Sequence, residues 1–116
     1  MKRGDVVILD HPFSDGSGSK VRPALVVQND RDNARLGNTI VALITRNISR
    51  SAEPTQLVID ISGLDGRSSG LNQNSAVVCT NLYTVSQTKI RRVIGVLPTT
   101  LMARIDACLK VALELQ

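Results

Sequence analysis

The sequence predicts a mainly β fold that ends in a C-terminal helix. Short runs rich in Val, Ile and Leu recur before Pro98 and are separated by polar, glycine-containing stretches, which is typical of successive antiparallel strands. After Pro98 the apolar residues change to helical spacing. The chain has 116 residues, and domains commonly have about 100–150. We therefore expect residues 1–116 to form a single domain.

Six segments have the composition of β-strands, because β-branched and other apolar residues dominate each one and turn-forming residues bound it. The predicted strands are 5–9, 24–28, 39–45, 56–61, 75–80 and 90–97. The third is apolar almost throughout, which favours a strand buried on both faces. The polar or glycine-rich segments predicted as loops are 13–20, 29–38, 47–55 and 62–74.

The helix is predicted to begin after Pro98, with Thr99 or Thr100 as its N-cap. Its apolar residues recur at spacings of three and four and form one stripe. The residues of this stripe are Leu101, Ile105, Cys108, Leu109, Ala112 and Leu113. Such a stripe needs an apolar surface to cover, so we expect the helix to pack on a small, strongly bent sheet or partly open barrel.

The composition excludes several classes of protein. With 42% hydrophobic and 21% charged residues the chain is an ordinary globular one, and no apolar run approaches the roughly 18 residues of a membrane span. The first apolar run is too short for a signal peptide, so we expect a cytoplasmic protein without a membrane partner. One His, two distant Cys and no phosphate-binding glycine motif predict neither a metal site nor a cofactor.

The titratable residues indicate little catalytic machinery. Cys79 lies in an apolar strand and Cys108 on the helix stripe, so both are interpreted as small core residues. His11 has a near-neutral reference pKa and is a candidate acid or base, although sequence spacing identifies no partner for it. The net charge of +4 permits an anionic partner, while 2% aromatic residues disfavour a stacking platform for single-stranded nucleic acid.

Three places in the chain could carry chemistry. Arg22 precedes Pro23 at a strand entrance, where a guanidinium could bind a phosphate; the alternative is an ordinary surface arginine. Thr45 ends the most apolar strand and could donate to a phosphate oxygen, or be present only for its β-propensity. The polar cluster at 28–33 could read base edges, but side-chain bonds that hold a turn are the favoured interpretation.

One block of the sequence, Arg-Pro-Ala-Leu-Val-Val-Gln-Asn-Asp at 22–30, is specific enough to suggest a family. Weaker blocks accompany it at 2–6, 39–45, 70–71, 75–78, 82–85 and 94–97. Together with the C-terminal helix, these blocks resemble the MazF/PemK family of toxins from type II toxin–antitoxin systems. The resemblance extends over essentially the whole chain.

The resemblance implies a homodimer of SH3-like barrels, the fold of MazF- and CcdB-type toxins. It also implies a metal-independent endoribonuclease, or mRNA interferase, that cleaves single-stranded RNA at short motifs to a 2′,3′-cyclic phosphate and a 5′-hydroxyl. A cognate antitoxin with a flexible, acidic segment would neutralise it. The residues that match the catalytic pair are Arg22 and Thr45. Since the substrate's own 2′-hydroxyl is the nucleophile, both would stabilise charge on the phosphate.

The same resemblance implies an RNA groove across the dimer interface, beside the loop 13–20. The RNA-binding residues it implies are Phe13, Ser17, Ser19, Lys20, Gln28, Asn29, Asn33 and Arg46. Many members have Gly-Ser-Glu-Gln in this loop, whereas this chain has Gly-Ser-Gly-Ser at 16–19. Two alternatives stay open: a CcdB-like toxin that binds gyrase and cuts nothing, and an inactive member that only binds antitoxin.

Overall fold

The computed structural model describes residues 1–12 and 18–116, in which six antiparallel strands form one sheet. The strands are β1 (Asp5–Pro12), β2 (Ser19–Val26), β3 (Asn38–Thr45), β4 (Gln56–Ile59), β5 (Ser75–Ser86) and β6 (Ile90–Val96). The helices are α1 (Asp30–Arg35), α2 (Leu64–Arg67) and α3 (Thr99–Leu113), and a 3-10 turn spans Gln87–Lys89. The strand order is β4-β5-β3-β2-β1-β6. The prediction of a mainly β fold with a C-terminal helix is confirmed.

Strand β3 lies between β2 and β5 and is buried on both faces, as its composition predicts. Ala42 and Ile44 belong to the larger core, which α3 covers, whereas Val41 and Leu43 belong to a second core. Successive side chains of a strand point to opposite faces, so a strand with a core on each side is apolar at nearly every position. The continuous apolar run of this strand therefore reflects two cores rather than one.

The sheet bends strongly between β1 and β5. The ring centroids of His11 on β1 and Tyr83 on β5 are 4.5 Å apart, although β2 and β3 lie between the two strands. Three inter-strand steps of ~4.8 Å would place them ~14 Å apart in a flat sheet. The curvature encloses the second core and produces the small, strongly bent sheet that the sequence predicts.

Helix α3 covers the larger core with Leu101, Met102, Ile105 and Cys108. The predicted stripe is confirmed for three of these residues but did not include Met102. The stripe did include Leu113, which is 52% exposed near the end of the helix. None of the helices in the described part of the chain is long and apolar enough to cross a membrane.

The predicted threonine N-cap of α3 is wrong. Pro98 occupies the cap position and makes no side-chain bond there. Thr100 instead donates from Oγ1 to Asp65 Oδ2 at 2.9 Å, which ties α3 to the segment around α2. A proline before the first turn presets the backbone angle φ, so the helix begins there without a side-chain cap.

Three local predictions also differ from the structure. Helices α1 and α2 lie in segments predicted as loops, because neither has an apolar stripe and both are very short. Strand β2 begins at Ser19, earlier than predicted, since it pairs with β1 as far as Pro12. Strand β5 continues to Ser86 through a polar half that pairs with β3 and is largely exposed. For the two strands, tertiary pairing and not local composition determines the bounds of the element.

The chain between α2 and β5 packs closely on β6. Val96 N–H donates to Ser68 C=O at 2.9 Å, and Ser68 Oγ donates to Val96 C=O at 2.7 Å. A Cβ at Gly95 would lie 2.3 Å from the Ser68 carbonyl oxygen and the Ser69 carbonyl carbon. This approach of two backbones therefore requires glycine at position 95.

We expect Gly95→Ala to lower the free energy of unfolding by ~1–3 kcal/mol, because the new methyl group must displace backbone rather than a flexible side chain. Urea unfolding measures this change. Gly37→Ala is the matched control, since a Cβ there meets nothing within 4 Å. Equal stability of the two variants would contradict the close packing of β6 against residues 68–69.

Candidate functional site

Strands β2 and β3 bring Arg22 and Thr45 together. The ladder between the two strands ends at the pair Ala24–Leu43, and Arg22 and Thr45 lie two residues beyond that pair on their own strands. Both side chains are half-buried, and both line one cavity of about 280 Å³. The structure thus places the two residues predicted to be catalytic at a single site.

The lining of this cavity is positively charged. It contains the side chains of Lys20, Arg22 and Arg46 and no carboxylate. The ion pairs found within the described residues join other side chains, so they do not neutralise these three cations. A guanidinium can hold a phosphate through two parallel hydrogen bonds, and the cavity is therefore suited to a phosphodiester.

The hydroxyl group of Thr45 is oriented by its own loop. Its Oγ1 accepts the N–H of Asn47 at 3.1 Å, just after the end of β3. A hydroxyl that accepts one bond can still donate its proton to another acceptor. Thr45 is thus able to donate to a phosphate oxygen bound beside Arg22.

Two further cavities adjoin the first. One, of about 250 Å³, shares Arg46 with it and adds Arg92. The other, of about 280 Å³, shares Thr45 and adds Arg50 and one carboxylate, Glu53. We call the three adjoining cavities the central groove. Its cations recur along its length, which is the arrangement that a chain of phosphates requires.

Gln56 is a residue of the groove that the sequence did not single out. It lies at the start of β4, and its Oε1 is buried without a hydrogen-bond partner among the described residues. Buried polar atoms are nearly always paired. A primary amide carries an acceptor and a donor side by side, which is the pattern that pairs with the edge of a nucleobase.

The polar cluster at 28–33 makes hydrogen bonds within itself. Gln28 Nε2 donates to Asn33 Oδ1 at 3.0 Å, and Asn33 Nδ2 donates to the Gln28 carbonyl at 2.9 Å. Thr39 Oγ1 also donates to Asn33 Oδ1, at 2.7 Å. Asn29 caps α1 by accepting a backbone N–H. These bonds agree with the turn-holding interpretation, and contact of these amides with RNA stays a prediction.

Two of the remaining predicted RNA-binding residues lie at the cavity. Lys20 and Arg46 line the cavity beside the Arg22–Thr45 pair. Ser19 begins β2. Phe13 and Ser17 lie outside the described residues.

His11 and Tyr83 form an aromatic pair near the cationic cavity. Their rings meet edge to face, with an interplanar angle of 76°. Burial lowers the pKa of His11 from its ordinary value of 6.5, and the positive charge of Arg22 lowers it further. The imidazole is therefore neutral at pH 7. No sequence spacing could have indicated this pair, because curvature of the sheet brings the two rings together.

The two cysteines are free and buried in the larger core, as predicted. Burial raises the pKa of the Cys79 thiol to about 12, and burial also raises the pKa of Cys108. Both are therefore protonated thiols at neutral pH and poor nucleophiles. Within residues 1–12 and 18–116, no three His, Cys, Asp or Glu side chains cluster as metal ligands.

Comparison with known sequences identifies relatives along nearly the whole chain. The profile of the family described as PemK-like, MazF-like toxin of type II toxin-antitoxin system matches residues 2–113. The chain is 31% identical over 116 residues to endoribonuclease EndoA of Bacillus subtilis (strain 168), covering 99% of this chain and 96% of that protein. It is 27% identical over 116 residues to endoribonuclease MazF of Staphylococcus epidermidis, covering 99% and 92%.

Solved structures share the fold. An endoribonuclease from Mycobacterial species, solved in complex with its cognate antitoxin, has a TM-score of 0.82 at 22% identity and covers 100% of this chain and 97% of that chain. A MazE–MazF crystal structure from Deinococcus radiodurans has a TM-score of 0.78 at 17% identity, with 100% and 98% covered. Taken with the family profile and the 31% identical relative, these likenesses establish that the chain belongs to the PemK-like and MazF-like toxins of type II toxin–antitoxin systems.

Proposed function

We propose that this protein is an endoribonuclease toxin that cleaves single-stranded RNA without a metal ion. The observation that carries the proposal is the juxtaposition of Arg22 and Thr45 over a cavity lined by cations. Membership of a family whose relatives are named endoribonucleases supports the same activity. The expected substrate is cytoplasmic mRNA.

The proposed reaction uses a nucleophile that belongs to the substrate. The ribose 2′-hydroxyl attacks the adjacent phosphorus, and the products are a 2′,3′-cyclic phosphate and a 5′-hydroxyl. Negative charge accumulates on the nonbridging oxygens as phosphorus gains a fifth ligand. Arg22 and the hydroxyl of Thr45 are donors held in place before the reaction, so they stabilise that charge without reorganisation.

The RNA is proposed to follow the central groove. Arg46 and Lys20 flank the reacting phosphate, while Arg92 and Arg50 lie in the adjoining cavities. Such contacts with the backbone hold the RNA without reading its sequence. Gln56 lines the adjoining cavity that also contains Thr45, and its amide is a candidate for reading a base of the bound RNA.

The active form is proposed to be a homodimer that a cognate antitoxin neutralises. Apolar side chains remain exposed on β2 and β6 of the single chain, among them Val21 at 46% and Val93 at 51%. Burial of such side chains would stabilise a dimer. The mycobacterial and deinococcal relatives were each solved with an antitoxin, and a cationic groove would attract an acidic antitoxin segment.

We expect Arg22→Ala to reduce RNA cleavage by ~10²–10³-fold, because it removes one prearranged donor to the reacting phosphate. Thr45→Val should also reduce cleavage, while Thr45→Ser should retain more activity since it keeps the hydroxyl. Gel assays on a defined single-stranded RNA measure these rates. Lys110→Ala, which changes an exposed cation of α3 outside the groove, is the control. Cleavage that is unaffected by Arg22→Ala would refute the proposed site.

We expect cleavage to continue in EDTA and to stop when the 2′-hydroxyl at the cleavage site is replaced by hydrogen. A substrate with a single deoxynucleotide at that position tests the second point directly. Mass spectrometry of the products should detect the 2′,3′-cyclic phosphate. Dependence on a divalent ion, or a 3′-hydroxyl product, would exclude this mechanism. Antitoxin binding without any cleavage would identify an inactive member of the family.

We expect Arg46→Ala to weaken RNA binding at low salt and to reduce the salt dependence of binding. Each phosphate contact to a single strand contributes ~0.7 to the slope of log affinity against log salt concentration. Fluorescence anisotropy at several salt concentrations measures that slope. Lys110→Ala serves again as the control, and an unchanged slope for Arg46→Ala would mean that Arg46 contacts no phosphate.

A further inference from the structure

The single histidine of the chain lies on the face of the sheet that carries Arg22. In the β1–β2 ladder Leu9 pairs with Arg22, and His11 pairs with Lys20. Side chains two residues apart on a strand share one face. His11 and Arg22 are therefore diagonal neighbours on that face, with a separation of at most ~7–8 Å between their Cβ atoms.

Tyr83, which lies on β5, packs against the imidazole across the concave face of the bent sheet. The two rings meet edge to face at 4.5 Å. Tyr83 is 41% exposed and His11 is half-buried, so the pair lies at the protein surface and not within the core. The contact restricts the orientation of the imidazole and shields one side of it from water.

The proposed cleavage requires a group that removes the proton of the 2′-hydroxyl. A guanidinium, whose pKa exceeds 12, and a threonine hydroxyl are both poor bases at neutral pH. Glu53 lies in the adjoining cavity beyond Thr45. His11 has a reference pKa close to neutrality and shares a face of the sheet with Arg22, the proposed phosphate donor.

We propose that His11 is the general base of the reaction and that Tyr83 is its positioning residue. The proposal rests on the ribonuclease function proposed above. A ring nitrogen of His11 takes the proton of the 2′-hydroxyl, the 2′-oxygen bonds to phosphorus, and the bond from phosphorus to the 5′-oxygen breaks. The 5′-oxygen takes a proton from water, and the imidazolium then returns its proton to the hydroxide left behind.

The charged groups around His11 keep it in the basic form. Lys20 faces it across the ladder and Arg22 lies on the diagonal, both on β2. Asp10, the neighbouring carboxylate on β1, is bound by Arg91 of β6 at 3.0 Å. From β5 the facing group is Tyr83. Burial and then the charge of Arg22 lower the pKa of His11, so kcat/KM should fall only as the pH drops below 6.5.

The test compares pH profiles of kcat/KM for wild type, His11→Gln and Glu53→Gln, purified without a histidine tag. We expect His11→Gln to lower the rate at pH 7 by ~10²–10⁴-fold and to remove the acid limb of the profile. Glu53→Gln should keep that limb. Imidazole added to His11→Ala should restore part of the rate, which a purely structural role of the side chain would not permit.

A second measurement does not depend on cleavage. Because the chain has one histidine, its NMR signal reports the pKa of His11 without ambiguity. Arg22→Gln should raise that pKa by removing a nearby positive charge. Tyr83→Leu should raise it by exposing the ring, and should shift the acid limb of kcat/KM to higher pH by the same amount. Tyr83→Phe should leave both values unchanged.

The outcomes separate this proposal from the one on which it rests. If wild type cleaves, Arg22→Ala does not, and His11→Gln keeps both the rate and the acid limb, then His11 is not the base while the ribonuclease function stands. Loss of the limb in Glu53→Gln instead would assign the base to Glu53 and overturn the proposal. A folded wild-type protein that cleaves no RNA would overturn both proposals. Circular dichroism of each variant checks that it is folded.

Discussion

The burial of β3 on both faces is the constraint on which the site depends. The strand pairs with β2 on one edge and β5 on the other, and its alternate side chains fill two different cores. A slip of one residue in its register would exchange these two sets of side chains, so packing in both cores specifies the register strongly. Thr45 ends this strand, and its position beside Arg22 at the cavity is therefore determined by the packing of Val41, Ala42 and Leu43 rather than by a flexible loop.

The site also depends on the curvature of the sheet. The buried residues of the two cores are not aromatic, and side chains of this size permit a tight bend. The second core contains aliphatic side chains of moderate size from β1, β2 and β3. Such side chains allow the outer strands to approach each other, until His11 and Tyr83 touch across the concave face. The curvature thereby brings into contact two side chains that lie far apart in the sequence.

The order and character of most strands could be predicted because apolar runs and turn residues report directly on burial. That Arg22 and Thr45 share one cavity could be expected only through the family resemblance, since composition does not reveal which strands are neighbours. Helix α1 could not be predicted: it has no apolar stripe and depends on the cap by Asn29. The contact of His11 with Tyr83 is a product of curvature, which no local pattern encodes. Gln56 was missed because an amide at the start of an apolar strand resembles an ordinary edge residue.

The proposed nucleophile, the 2′-hydroxyl of the substrate, would leave the protein with few chemical tasks. A net charge of +4 in one chain would become about +8 in a dimer, yet the distribution of charge is more important than its amount, because a few cations in a groove can hold a phosphate chain. When the substrate supplies its own hydroxyl, the protein needs no activated serine or cysteine, and its buried thiols can remain inert. What is left for the protein is to stabilise charge on phosphorus and to accept one proton. A fold with two donors on adjacent strands and one neutral imidazole on the same face carries groups suited to both tasks.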